Sequence, residues 1–213
     1  QTGFKEMDQC IENGNTYAQW VANENYQKEV VEYNTTNKAA SPKKVIERCE
    51  NYLEGFHVPF VHEGLNKVLD YGSYKTETYE HCNLQIGYTD DATEVFDFPE
   101  SHPDYGKNVA AYYYWVFPNM MFNFYPWGLS LNIVKPLDIN RTKVSFISYV
   151  WDPKKMNKGA GNDLEKVERE DEFIVENVQK GVNSSFYKAG RFSPKREKGV
   201  HHFHSLISEF LFK

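Results

Sequence analysis

Cysteine is scarce in this chain. Cys10, Cys49 and Cys82 are the only three in 213 residues, and none stands at a framework or metal-binding spacing from another. An odd, scattered set excludes a disulfide scaffold and fits a reducing cytoplasm. Histidine is missing altogether before His57, so residues 1–49 hold no cysteine and histidine pairing able to bind an iron–sulfur cluster. No run of about 18 apolar residues occurs, which argues against a membrane span. No charged stretch followed by an apolar core opens the sequence, so no signal peptide is expected. Positive charge is also short: 24 Lys and Arg stand against 30 Asp and Glu, a net charge of −6. No basic cluster interleaves with aromatics, which makes nucleic acid a poor partner. Repeats and low-complexity segments are absent.

What is present is ordinary globular material, 40% hydrophobic and 25% charged, most simply one domain with a sizeable core. Residues 43–54 read as a helix, with Ser41 able to cap it and Pro42 able to sit in its first turn. The centre is strand-rich. Residues 76–88, 109–117, 120–125, 128–135 and 142–151 are dense in β-branched and aromatic side chains and are separated by Pro, Asn, Gly and Asp. Short turns between consecutive strands imply an antiparallel sheet. From Asp163 the period changes, with Leu164, Val167, Ile174, Val178, Val182 and Phe186 at helical spacing and Lys180 and Lys188 late. Residues 199–212 read as a last helix. Strands followed by a long helix indicate an α+β architecture. Residues 152–162 read as a flexible loop with little to bury, and residues 90–108 as a long connection.

Residues 50–62, ENYLEGFHVPFVH, carry the chemistry. Glu54 and His57 are three apart, so on a helix the carboxylate can accept the second N–H of the imidazole and fix the tautomer that binds metal. His57 and His62 are five apart, roughly 140° around a regular helix, so one straight helix cannot aim both at one ion. Pro59 between them is expected to break the helix and let the rings converge. Two imidazoles make half of a mononuclear iron site, and a third ligand is then needed.

ENYLEGFHVPFVH resembles the segment that opens the catalytic domain of the alpha subunit of Rieske-type ring-hydroxylating oxygenases. Two later segments, in order, strengthen the resemblance: residues 170–181, EDEFIVENVQKG, and residues 190–204, GRFSPKREKGVHHFH. The resemblance implies that Asp171 is the third ligand beside His57 and His62, since only the match selects it among neighbouring helix acids. It implies a helix-grip fold, with a curved antiparallel sheet packed around a long C-terminal helix. It implies iron(II) as the metal, dioxygen and a small organic substrate as reactants, and a reductase or ferredoxin as electron donor. A Rieske two-iron two-sulfur cluster is expected in the full-length protein but not on this chain. Glu54 then bridges that cluster's histidine to the iron, and a homotrimer is the assembly implied. The family's usual Asn-Trp-Lys ahead of ENYLE is replaced here by the region around Lys44 to Ile46. Residues 1–49 are accordingly read as a linker or remnant, and residues 50–213 as the mononuclear iron catalytic domain.

Other features are open to plainer readings. The aromatic run from Ala111 to Gly128 sends about half its rings inward, as sheet core or as the lining of a substrate pocket able to stack on an aromatic substrate or surround a quaternary ammonium group. Glutamate at position 54 resembles the choline, glycine-betaine and carnitine monooxygenase branch. His201, His202 and His204 read as packing and surface residues, and His81 and His102 as structural. The rival function is a metal-free helix-grip module that binds a hydrophobic small molecule.

Overall fold

The computed structural model of the chain describes residues 30–37, 42–138 and 141–212. Seven strands form one antiparallel sheet: β1 (Val30–Asn37), β2 (Lys75–Thr78), β3 (Cys82–Tyr88), β4 (Val109–Val116), β5 (Met120–Tyr125), β6 (Gly128–Asp138) and β7 (Arg141–Val150). Their order is β1-β7-β6-β5-β4-β3-β2. From β2 to β7 the chain is a meander, each strand pairing with the next, as short turns dictate. β1 adds to the far edge against β7, a strand the sequence did not announce. The expected strand at 76–88 is two, because residues 79–81 form the hairpin between β2 and β3.

Helices cover one face of the sheet. α1 (Pro42–Tyr52) leads into the short α2 (Val58–Val61) and α3 (Glu63–Val68); α4 (Leu164–Val182) and α5 (Lys198–Leu211) follow the strands. Cys49 and Leu53 from α1 and its end, Trp115, Met121 and Val134 from the sheet, and Val200, Phe203 and Leu206 from α5 form one core cluster. Here α5 sits so close that a Cβ on Gly199 would lie 2.6 Å from the Leu53 carbonyl oxygen. The opposite face carries Leu84, Ile86, Phe122, Phe124, Leu129 and Leu131. Phe96 and Phe98, from the 90–108 connection, pack on that face, so this long connection covers core. The aromatic run therefore splits by strand alternation, with Tyr113 and Trp115 on the helix side and Tyr112 and Phe124 on the other.

Two expectations need correction. The 152–162 segment is not a solvated loop: it makes two 3₁₀ turns, and Ala160 and Gly161 are buried. A side chain at Gly161 would collide with Trp127 and Tyr125, so glycine lets this turn close over those rings. The buried stripe of α4 is also rotated from the apolar one. Asp171, Val175 and Gln179 are its buried residues, whereas Val178 and, beyond the helix, Phe186 are exposed. The helix turns polar groups inward because its partner surface is polar too. Among the described residues, no helix is long and apolar enough to cross a membrane.

Candidate metal centre

The segment between α1 and α3 is irregular, and the irregularity aims the two histidines. α1 ends at Tyr52; His57 is the N-cap of α2, Pro59 lies in that helix's first turn, and His62 leaves helical geometry with φ −109° and ψ 78°. The break thus falls ahead of Pro59 and again at His62, rather than at Pro59 itself. Proline suits the first turn because its missing N–H would have no partner there. The result brings His57 Nε2 to 3.2 Å from His62 Nε2.

Asp171, in the middle of α4, completes the group. Its Oδ1 lies 2.9 Å from His62 Nε2 and 3.4 Å from His57 Nε2. Among the described residues these three are the one group of His, Cys, Asp and Glu whose ligand atoms converge in this way. For bonds of about 2.1 Å at right angles, ligand atoms on one face of an octahedron lie about 3.0 Å apart. The observed triangle fits that face.

Each converging residue is held from behind. Glu54 Oε1 accepts from His57 Nδ1 at 2.5 Å, and its Oε2 accepts the His57 backbone N–H at 3.1 Å. Glu170 Oε2 accepts from His62 Nδ1 at 2.8 Å. With each Nδ1 proton held from behind, Nε2 is the nitrogen that can give up its proton to a metal. Arg48 Nη1 reaches Asp171 Oδ2 at 3.1 Å, and its Nη2 pairs with Glu168. Asn132 Nδ2 donates to the other Glu168 oxygen at 2.9 Å.

Electrostatics follow from this packing of charge. At His57 burial disfavours the imidazolium, but Asp171 and Glu54 outweigh it and the pKa is pushed up to about 9. His62 is raised for the same opposed reasons, with burial against and Asp171 and Glu170 in favour. Burial opposes the Asp171 charge, yet Arg48 and the two imidazoles hold its carboxyl well below the usual carboxylate range. Burial raises Glu168, with Arg48 pulling the other way.

Glu54, His57, His62 and Asp171, all anticipated from sequence, are brought together. Arg48, Glu168, Glu170 and Asn132 were not anticipated. The available signal for Glu168 was its position three before Asp171, on the same helix face. Of the remaining histidines, His204 contacts Glu50, His202 faces Asn83, His102 stacks on Phe98 with ring centroids 4.1 Å apart, and His81 meets Phe210. None joins the centre. A buried aromatic group lies beyond α1: Tyr52 donates to Asn123 Oδ1 at 2.8 Å, and Tyr113, Tyr125 and Trp127 pack in contact.

Known proteins resemble this chain in sequence and in fold. A chloroplastic choline monooxygenase from Arabidopsis thaliana is 36% identical over 168 residues, covering 75% of this chain and 37% of the relative. The carnitine monooxygenase oxygenase subunit of Escherichia coli K12 is 27% identical over 189 residues, covering 82% of this chain and 48% of the relative. The chain thus spans less than half the length of these curated relatives. A solved quaternary ammonium Rieske monooxygenase superposes with a TM-score of 0.63 at 22% identity, covering 85% of this chain and 50% of that one. Dicamba monooxygenase superposes at 0.54 with 14% identity, over 91% of this chain and 61% of that one, so the helix-grip fold is shared. A model of the ring hydroxylating alpha subunit catalytic domain matches residues 48–211, and the chain belongs to that family.

Proposed function

We propose that this chain is the catalytic domain of a Rieske oxygenase that oxidises a small quaternary ammonium compound, with iron(II) held by His57 Nε2, His62 Nε2 and Asp171 Oδ1. The observation that carries the reading is the triangle of those three atoms with a carboxylate behind each imidazole. A facial set of three protein ligands would leave the remaining positions open, and iron, when bound there, would supply the oxygen activation. The protein supplies orientation. Glu54 and Glu170 hold the Nδ1 protons, so neither ring turns its N–H toward the metal. Glu54, which backs His57, would also serve as the bridge to the histidine of a Rieske cluster on a neighbouring subunit.

Overall, substrate C–H, dioxygen, two electrons and two protons give the hydroxylated product and water. The electrons would come from a reductase through a Rieske cluster, for which residues 1–49 contain no set of ligands. Chains similar to this one are named for choline and carnitine, which supports a quaternary ammonium substrate.

The deciding experiment is iron stoichiometry after anaerobic reconstitution with iron(II). Near one iron per chain is expected for the wild type, falling to background in His57→Ala and in Asp171→Ala. Iron retained in both variants, or none in the wild type, rejects the assignment, and the second result favours the metal-free binding module. With a generic reductase and NADH the isolated chain is expected not to sustain turnover.

A further inference from the structure

Arg48 is a guanidinium sealed inside the protein, its side chain 7% exposed, at the back of the three converging ligand atoms. Burial works against its charge, so its retention there requires partners, and it has three. Nη1 donates to Asn51 Oδ1 at 3.0 Å and lies 3.1 Å from Asp171 Oδ2, while Nη2 pairs with Glu168. Glu168 is itself anchored by Asn132, and Ser130 Oγ lies 3.3 Å from Asn132 Oδ1, so the guanidinium is tied to β6 as well as to α4. Its plane is fixed on both sides.

The consequence falls on Asp171. One carboxylate oxygen, Oδ1, faces the two imidazole Nε2 atoms, and the other, Oδ2, faces Arg48. A carboxylate free to turn binds a divalent metal through either one oxygen or two. With two, it takes an additional coordination position, leaving two of an octahedral metal's six positions for other ligands where one-oxygen ligation leaves three. We propose that Arg48 is a positioning residue that retains Oδ2 and so confines Asp171 to one-oxygen ligation. This rests on the metal-centre reading above. A competing role is simple neutralisation of two buried carboxylates, for which any cation in the same place would serve. Lysine separates the two, since it keeps the charge but lacks the planar fork that engages Asp171 and Glu168 together.

The test uses the full chain and cobalt(II), a spectroscopic substitute for iron(II), under anaerobic conditions. Titration reads stoichiometry and Kd, and the intensity of the visible d–d bands reads coordination number, falling as more donors bind. Wild type is the control for the metal-centre reading: no specific cobalt there defeats that reading and this inference together. With one cobalt bound, Arg48→Lys is expected to weaken binding about tenfold, in the range found for partners behind metal ligands, and to lower the band intensity. Arg48→Met is expected to move both further in the same direction. If Arg48→Lys binds cobalt with a Kd within twofold of wild type and the same spectrum, charge alone suffices and the positioning role is wrong, whatever happens to the melting temperature. Should neither Arg48 variant fold, Asn51→Ala removes one tether of the guanidinium without altering any charge. A smaller loss of band intensity is then expected, and an unchanged spectrum overturns the proposal.

Discussion

The two faces of the sheet differ in their materials although the same strands supply both, one apolar and the other a mixture of apolar and polar groups. Along β5 and β6, Phe122, Phe124, Leu129 and Leu131 point one way into an apolar layer, while Asn123, Ser130 and Asn132 point the other way and are equally buried. Burying amides and hydroxyls stabilises little and requires each to find a partner, whereas burying the rings and branched chains drives folding. The apolar face thus contributes stability alone, whereas the helix-side face, beside its own apolar cluster of Trp115, Met121 and Val134, also fixes where charged groups stand. Separating the two experimentally means perturbing each face and reading both stability and metal affinity.

Phe124→Ala should have the largest effect on stability, a loss of about 3–5 kcal/mol from a 2% exposed ring, with metal affinity per folded molecule unchanged. Chemical denaturation paired with a cobalt titration reads both, and a shift in Kd would break the division of labour. Next comes pH. His57 in the metal-free chain has a pKa of about 9 against a usual 6.5, so its contribution is complete below about pH 6.5 and disappears as pH rises through 9. That amounts to about 3 kcal/mol of metal-free stability lost across the window. Metal binding must displace the same proton, so affinity rises by about tenfold per pH unit where stability falls. Denaturation at pH 6.5 and 9 should show a steeper slope in wild type than in His57→Ala, where the raised His62 still titrates; a slope unchanged in the variant would place the His57 titration elsewhere.

Asn132→Ala is expected to cost about 1–3 kcal/mol, because it leaves the buried Glu168 oxygen without its donor. Unlike the change at Phe124, it should also weaken metal binding, through Arg48. Ser130→Ala, which deletes a 3.3 Å contact to Asn132, should cost under about 1 kcal/mol and leave affinity alone. If the Ser130 change proved the larger of the two, the chain of partners from β6 to Arg48 would have to be redrawn.

How much of this was legible in the sequence depends on the reach of each interaction. Glu54, His57 and His62 sit within nine residues, and Asp171 lies in a segment whose resemblance to a family selects it. The β2-to-β7 meander follows from alternation and turn residues, which are local properties. Arg48 and Glu168 are 120 residues apart in sequence, and each stands in a run that reads as solvated charge, PKKVIER and EKVERED. Only the packing of α1 against α4 turns them inward. The α4 stripe is hidden for a related reason: apolar periodicity marks the buried face only when the facing surface is apolar, and here that surface presents Asn132 and Arg48 to Glu168 and Asp171. β1 carries no alternating pattern strong enough to announce itself, and its pairing with β7 depends on an edge created by residues a hundred positions later.

Gly199 extends the site to a residue that touches none of its atoms. Because α5 begins with its backbone against the Leu53 carbonyl, one position before Glu54, the last helix works as a gauge that sets the height at which the metal-binding segment leaves α1. A systematic substitution survey should therefore find position 199 nearly as intolerant as the ligands themselves, and an alanine there should act as a displaced hinge pin, shifting His57 against Asp171 without removing a single contact to the metal.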